Sequence, residues 1–150
     1  MTDNAPTLLL IEDDPADARL ILRAMNKAEL PVRIQHIRDG DEAVAYLKGD
    51  GTYADRSTHP LPRLVIMDIK LPRRSGLEVL RWIRQQEAAI ARVPVVMLSS
   101  SHHGVDINQA YESGVNSYLV KPETSDQLLS IVTLLKTYLF FNNKGPPQIQ

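Results

Sequence analysis

At 150 residues, 43% of them apolar and 23% charged, the chain suits one compact domain of ordinary globular composition. Lys plus Arg total 17 against 18 Asp plus Glu, and the net charge of -1 is too small to draw in nucleic acid or an anionic membrane. The absence of Cys excludes disulfides, thiolate metal sites and cysteine nucleophiles, so any metal must be held by oxygen or imidazole. The polar start from Met1 to Pro6 is not a secretory signal, and no run approaches the roughly 18 apolar residues of a membrane helix. A soluble cytoplasmic protein is expected, with residues 1–6 a mobile N-terminus, 7–141 one domain and 142–150 a mobile tail.

In chain order, Thr7 to Ile11 is a continuous apolar run, read as a buried strand, and ends in Glu12, Asp13 and Asp14. Asp14 is a helix N-cap with Pro15 at the first helical position and Asp17 three residues on, after which Ala18, Ile21, Leu22 and Met25 recur at helical spacing. Val32, Ile34 and His36 alternate as a strand, and Asp41 is expected to cap a short helix carrying Ala43, Val44 and Leu47. Gly49 to Pro62 reads as a long exposed connection. Leu64 to Met67 is a third strand ending at Asp68, and Leu77, Leu80 and Ile83 follow on a helical stripe. Val93 to Leu98 gives a fourth strand before Ser99, Ser100 and Ser101, and a weak helix spans Val105 to Ser113. Tyr118 to Val120 is a short fifth strand closed by Lys121 and Pro122, and a last helix runs from Ser125 to about Phe141. Strands alternating with helices predict a doubly wound α/β fold: a five-stranded parallel sheet with helices on both faces. Ligands in such sheets bind beyond the carboxyl ends of the strands.

Those ends carry acids after the first strand, Asp68 after the third, hydroxyls after the fourth and Lys121 after the fifth. Carboxylates crowded together repel unless a cation sits among them, and hard oxygen donors suit Mg²⁺. A carboxylate, a metal, an ammonium and a hydroxyl are the set needed to move a phosphoryl group onto an Asp oxygen.

Taken together and in order, Leu-Ile-Glu12-Asp13-Asp14, Val-Ile-Met-Asp68-Ile-Lys-Leu-Pro72, Ser75-Gly76, Met-Leu-Ser99-Ser100 and Tyr118-Leu-Val-Lys121-Pro122 resemble a response regulator receiver domain from Thr7 to about Phe141. The long connection and the helical tail are similar to the small stand-alone regulators that partner bacterial phytochromes. The resemblance implies a flavodoxin-like receiver fold and a single-domain switch that takes a phosphoryl group from a sensor histidine kinase onto Asp68. It further implies that Asp13 and Asp68 ligate Mg²⁺, that Glu12 acts through a metal-bound water, and that Lys70 lends its backbone carbonyl. Ser99 and Lys121 would contact the phosphoryl group, a cis peptide bond before Pro122 would point Lys121 inward, and Tyr118 would be the aromatic switch. With no effector domain expected, output would run through protein contact or onward phosphotransfer.

Two other functions compete: a receiver that binds its partner without phosphorylation, and a haloacid-type hydrolase. The acids and Lys121 argue against the first; Lys70, where the hydrolase would want a second Asp, argues against the second. Lys70 is also a candidate shield of the phosphoryl group, or simply a solvated lysine. His36, His59, His102 and His103 lack metal-site spacing and read as solvated or structural. On the last helix, Leu128, Val132, Leu135 and Leu139 form one apolar stripe, while Ile131, Leu134, Tyr138 and Phe141 form a second. The second stripe predicts a homodimer surface, the competing arrangement being a tail folded back over it.

Overall fold

The computed structural model describes residues 5–138. Strands β1 (Thr7–Ile11), β2 (Arg33–Ile37), β3 (Leu64–Met67), β4 (Val95–Ser99) and β5 (Ser117–Val120) form one parallel sheet in the order β2-β1-β3-β4-β5. The chain winds outward from β1 to β2, then returns past β1 to β3. The reversal lies between β1 and β3, which places Glu12 and Asp68 at the two strand ends flanking the switch point.

Alternate side chains of the central strands enter opposite layers, which is why these strands are apolar throughout rather than every second residue. Leu9, Ile11, Val65, Met67, Val95 and Met97 face helices α2 (Gly40–Lys48), α3 (Gly76–Arg84) and α5 (Gly104–Glu112). Leu8, Leu10, Leu64, Ile66, Val96 and Leu98 face α1 (Pro15–Lys27) and α6 (Ser125–Thr137). The expected first stripe of α6 is the core-facing one: Leu128 and Val132 are buried and Leu135 packs beside them. Leu139 and Phe141 lie outside the described residues.

Several local expectations are corrected. The cap of α2 is Asp39, not Asp41: its Oδ1 accepts from the Glu42 N–H at 2.7 Å, so the helix starts at Gly40. The Gly49–Pro62 connection is tied down. A 3-10 turn spans Gly51–Tyr53, and the Arg56 guanidinium donates to the Tyr46 and Leu47 carbonyls at 2.7 and 2.6 Å, satisfying the end of α2. A short helix α4 (Ala88–Ala91) joins α3 to β4. The peptide bond before Pro122 is trans, since no cis bond occurs among the described residues. Lys121 is directed by other means: its N–H continues the β4–β5 ladder to the Ser99 carbonyl at 2.8 Å, and its ammonium is bound at the strand ends.

Candidate functional site

The site is assembled by strand ends and the turns that follow them. Glu12 leaves β1 almost fully buried, at 2% exposure, and Asp68 leaves β3 at 8%. Lys121 reaches across from the end of β5. Its Nζ lies 2.6 Å from Glu12 Oε1, 2.9 Å from Asp68 Oδ2 and 2.8 Å from Asp17 Oδ2, the last on the first turn of α1. Three carboxylates thus converge on one ammonium.

The electrostatics follow from burial. Glu12 is pushed above the usual carboxylate range by loss of solvent, against the opposing pull of Lys121 and of the Asp14 N–H. Burial alone would lower the Lys121 ammonium, but the hydrogen bonds it donates to Asp17, Glu12 and Asp68 outweigh it and raise its pKa, so it is charged at neutral pH. Asp68 Oδ2 is satisfied by Lys121, whereas Asp68 Oδ1 is buried with no hydrogen-bond partner. A buried carboxylate oxygen with free lone pairs is costly unless a cation or reacting group meets it. Among the described residues no three His, Asp or Glu side chains form a metal cage. A cation at Asp68 Oδ1 must therefore draw on backbone carbonyl and water as well, a mixed oxygen set that fits Mg²⁺. Asp13 and Lys70, the other expected donors, are exposed beside these strand ends.

Close backbone packing brings the second wall of the site into place. At Gly76, the first residue of α3, a Cβ would lie 2.1 Å from the Asp68 carbonyl oxygen, so only glycine lets this helix begin against the end of β3. Ser75 caps the helix by accepting from the Glu78 N–H at 3.2 Å.

Ser99 is the last residue of β4 and is buried, with its Oγ accepting the Ser101 N–H at 3.2 Å. Tyr118, half-buried on β5, donates its hydroxyl to the Ser101 carbonyl at 2.7 Å. Ser101 therefore links the Ser99 hydroxyl to the Tyr118 hydroxyl, a connection from the end of β4 through the β4–α5 loop to β5. Ser101 Oγ in turn donates to Asp106 on α5.

Two residues here escape sequence reasoning. Asp17 reads as a first-turn acid beside its N-cap, and its pairing with Lys121 is a tertiary contact across the sheet. His36 reads as a solvated or structural histidine; its Nε2–H donates to the Glu12 carbonyl at 2.9 Å, anchoring the turn that carries the acids. The one available signal for His36 is its register opposite Leu10, two residues before Glu12. His102 and His103 stack on each other, and His59 packs against Tyr46 and Tyr53.

The response regulator receiver domain family matches residues 8–133. The probable methanogenesis regulatory protein FilR2 of Methanothrix harundinacea is 38% identical over 139 residues, 93% of this chain and 86% of that protein. Response regulator Rcp1 of Synechocystis sp. is 34% identical over 131 residues, 87% of this chain and 86% of its own. The crystal structure of an Mn²⁺-bound form of response regulator Rcp1 aligns with a TM-score of 0.84 at 32% identity, covering 95% of this chain and 99% of that one. The phosphorylated cyanobacterial phytochrome response regulator RcpA aligns with a TM-score of 0.87 at 35% identity over the same shares, 95% and 99%. No helix among the described residues is long and apolar enough to cross a membrane. Fold, strand-end acids and family match agree, and the chain belongs to the response regulator receiver domain family, with a phosphoacceptor role in two-component signalling.

Proposed function

We propose that Asp68 accepts a phosphoryl group from the phosphohistidine of a sensor histidine kinase, and that the chain signals through protein contacts or onward phosphotransfer. The observation that carries this is the Asp68 carboxylate itself: one oxygen held by Lys121, the other buried and unpartnered at the switch point of the sheet. Glu12, Asp13, Asp68 and the Lys70 backbone carbonyl would hold Mg²⁺, with Glu12 reaching it through water. Bound there, the ion supplies positive charge against phosphoryl oxygens. Lys121 is already within hydrogen-bond reach of Asp68 and can donate to a phosphoryl oxygen attached to it. The Ser99 hydroxyl, engaged by the Ser101 N–H, is the second donor for that group, and a change at Ser99 passes through Ser101 to the Tyr118 hydroxyl.

The kinase partner is read as a phytochrome because RcpA, which this chain resembles, is a cyanobacterial phytochrome response regulator. The homodimer surface is read on the second stripe of α6 and its C-cap, where Leu134 is 69% and Tyr138 58% exposed, one turn apart, and Ile131, the first residue of that stripe, is half-buried. Phe141, the fourth residue assigned to that surface, lies outside the described residues.

Incubation with acetyl phosphate and Mg²⁺, read by intact mass, tests the phosphoacceptor. A stable increment of one phosphate supports it, turnover without an increment indicates a hydrolase, and neither indicates a phosphorylation-independent interaction module. Light scattering tests the dimer: a monomer mass for both phosphorylated and unphosphorylated protein refutes it, and an Ile131→Glu, Leu134→Glu variant that still dimerises refutes this surface.

A further inference from the structure

We propose that Asp17 is a positioning residue that restrains Lys121 and slows phosphoryl uptake at Asp68. The inference rests on Asp68 as phosphoacceptor and adds a residue to that site. An ammonium has three N–H donors, and Lys121 gives them to Glu12 at 2.6 Å, Asp17 at 2.8 Å and Asp68 at 2.9 Å. Glu12 and Asp68 are buried and fixed by strand ends, and these two carboxylates suffice to aim the ammonium. The Asp17 side chain is 38% exposed and comes from the first turn of α1.

Helix capping does not occupy the Asp17 carboxylate. Asp14 Oδ1 accepts from the N–H groups of Ala16 and Asp17 at 2.8 and 3.1 Å. The Asp14 N–H, which an acid three residues into a helix commonly satisfies, donates to Glu12 Oε2 at 3.1 Å instead. That substitution leaves Asp17 free to hold the third donor of Lys121.

During uptake from acetyl phosphate, the bond from phosphorus to the acetate oxygen breaks, a bond to an Asp68 oxygen forms, and acetate leaves with the electron pair. Charge is spread over the phosphoryl oxygens throughout. Lys121 can transfer its Asp68 donor to one of those oxygens, but the donor held by Asp17 is withheld. The charge of Asp17 also opposes the approach of an anionic phosphodonor. Removing this carboxylate frees a donor without releasing the lysine.

The test compares the full chain with Asp17→Ala and Asp17→Glu. With acetyl phosphate and Mg²⁺, Asp17→Ala should take up phosphate about threefold to tenfold faster than the parent, and Asp17→Glu, which restores the carboxylate, at close to the parental rate. Without metal, nuclear magnetic resonance should show the Lys121 ammonium protons exchanging with water faster in Asp17→Ala than in the parent or Asp17→Glu. Uptake by Asp17→Ala that is unchanged or slower overturns the restraint, as does an unchanged ammonium exchange rate. Failure of the parent itself to take up phosphate overturns the Asp68 reading, and this one with it.

Discussion

Replacing Lys121 with Met removes the cation from between two buried carboxylates. Glu12 and Asp68 then sit in the protein without their partner, while Asp17 turns to solvent. Breaking a buried ion pair from one side costs about 3–5 kcal/mol, and loss of the exposed Asp17 pair adds less than about 1 kcal/mol. At roughly 2–4 °C per kcal/mol for a domain of this size, the melting temperature should fall by about 6–24 °C in chelator at neutral pH. The pH dependence has a definite sign. Glu12 is raised above its ordinary value of 4.5 by burial even with Lys121 present, so its ionised form already destabilises the fold above its folded pKa. Without Lys121 that cost grows; it shrinks as pH falls below the folded pKa of Glu12 and is gone below the ordinary value of 4.5, where the acid is neutral in both states and needs no cation. The deficit of the variant should therefore shrink on acidification and on addition of Mg²⁺. Scanning calorimetry of parent and variant, in chelator and in Mg²⁺, over a range of pH, reads all three effects. A shift under about 2 °C in chelator, or a deficit indifferent to Mg²⁺, would refute the reasoning.

Other perturbations reach the same site from different sides. Gly76→Ala places a Cβ 2.1 Å from the Asp68 carbonyl, and should cost about 1–3 kcal/mol and slow uptake from acetyl phosphate; denaturant unfolding and intact mass check both. Lys70→Ala should hasten loss of the phosphoryl group if the exposed Lys70 side chain shields it, and an unchanged lifetime by intact mass rejects shielding. In the connection after α2, burial together with the hydrogen bond and charge of Glu42 pushes the Tyr53 phenol up to about 12. Its neutral form therefore supports the fold below the ordinary value of 10.0, and that support is lost as pH rises through about 12. Ultraviolet titration should show Glu42→Gln bringing this ionisation down towards the ordinary value.

The central strands were legible because both faces of β1, β3 and β4 are covered, and a side chain buried from either side must be apolar. Glu12, Asp68, Ser99 and Lys121 each have an ordinary local reading as a cap or turn residue, and they stood out only in combination, as polar residues recurring at the ends of four strands that a parallel sheet brings to one edge. Local ambiguity explains the α2 cap, since Asp39-Gly-Asp41 offers two acids in capping range and the close approach of Gly40 to the Arg74 carbonyl selects the earlier start. Helix α4 is a single turn, too short to carry a period. The connection after α2 read only as long and exposed; its order comes from Arg56 reaching back to carbonyls of α2, a contact that composition does not encode. Asp17 and His36 remained hidden because each has an ordinary local reading, and their roles depend on partners 104 and 24 residues away.

The most direct measurement of the central claim is intact mass after incubation with acetyl phosphate and Mg²⁺, on the parent, Asp68→Asn and Asp14→Asn. Asp68 offers a buried, unpartnered oxygen, whereas Asp14 is exposed and occupied in capping α1. The parent and Asp14→Asn should each gain one phosphate and Asp68→Asn none; labelling of Asp68→Asn to the parental extent would contradict the account.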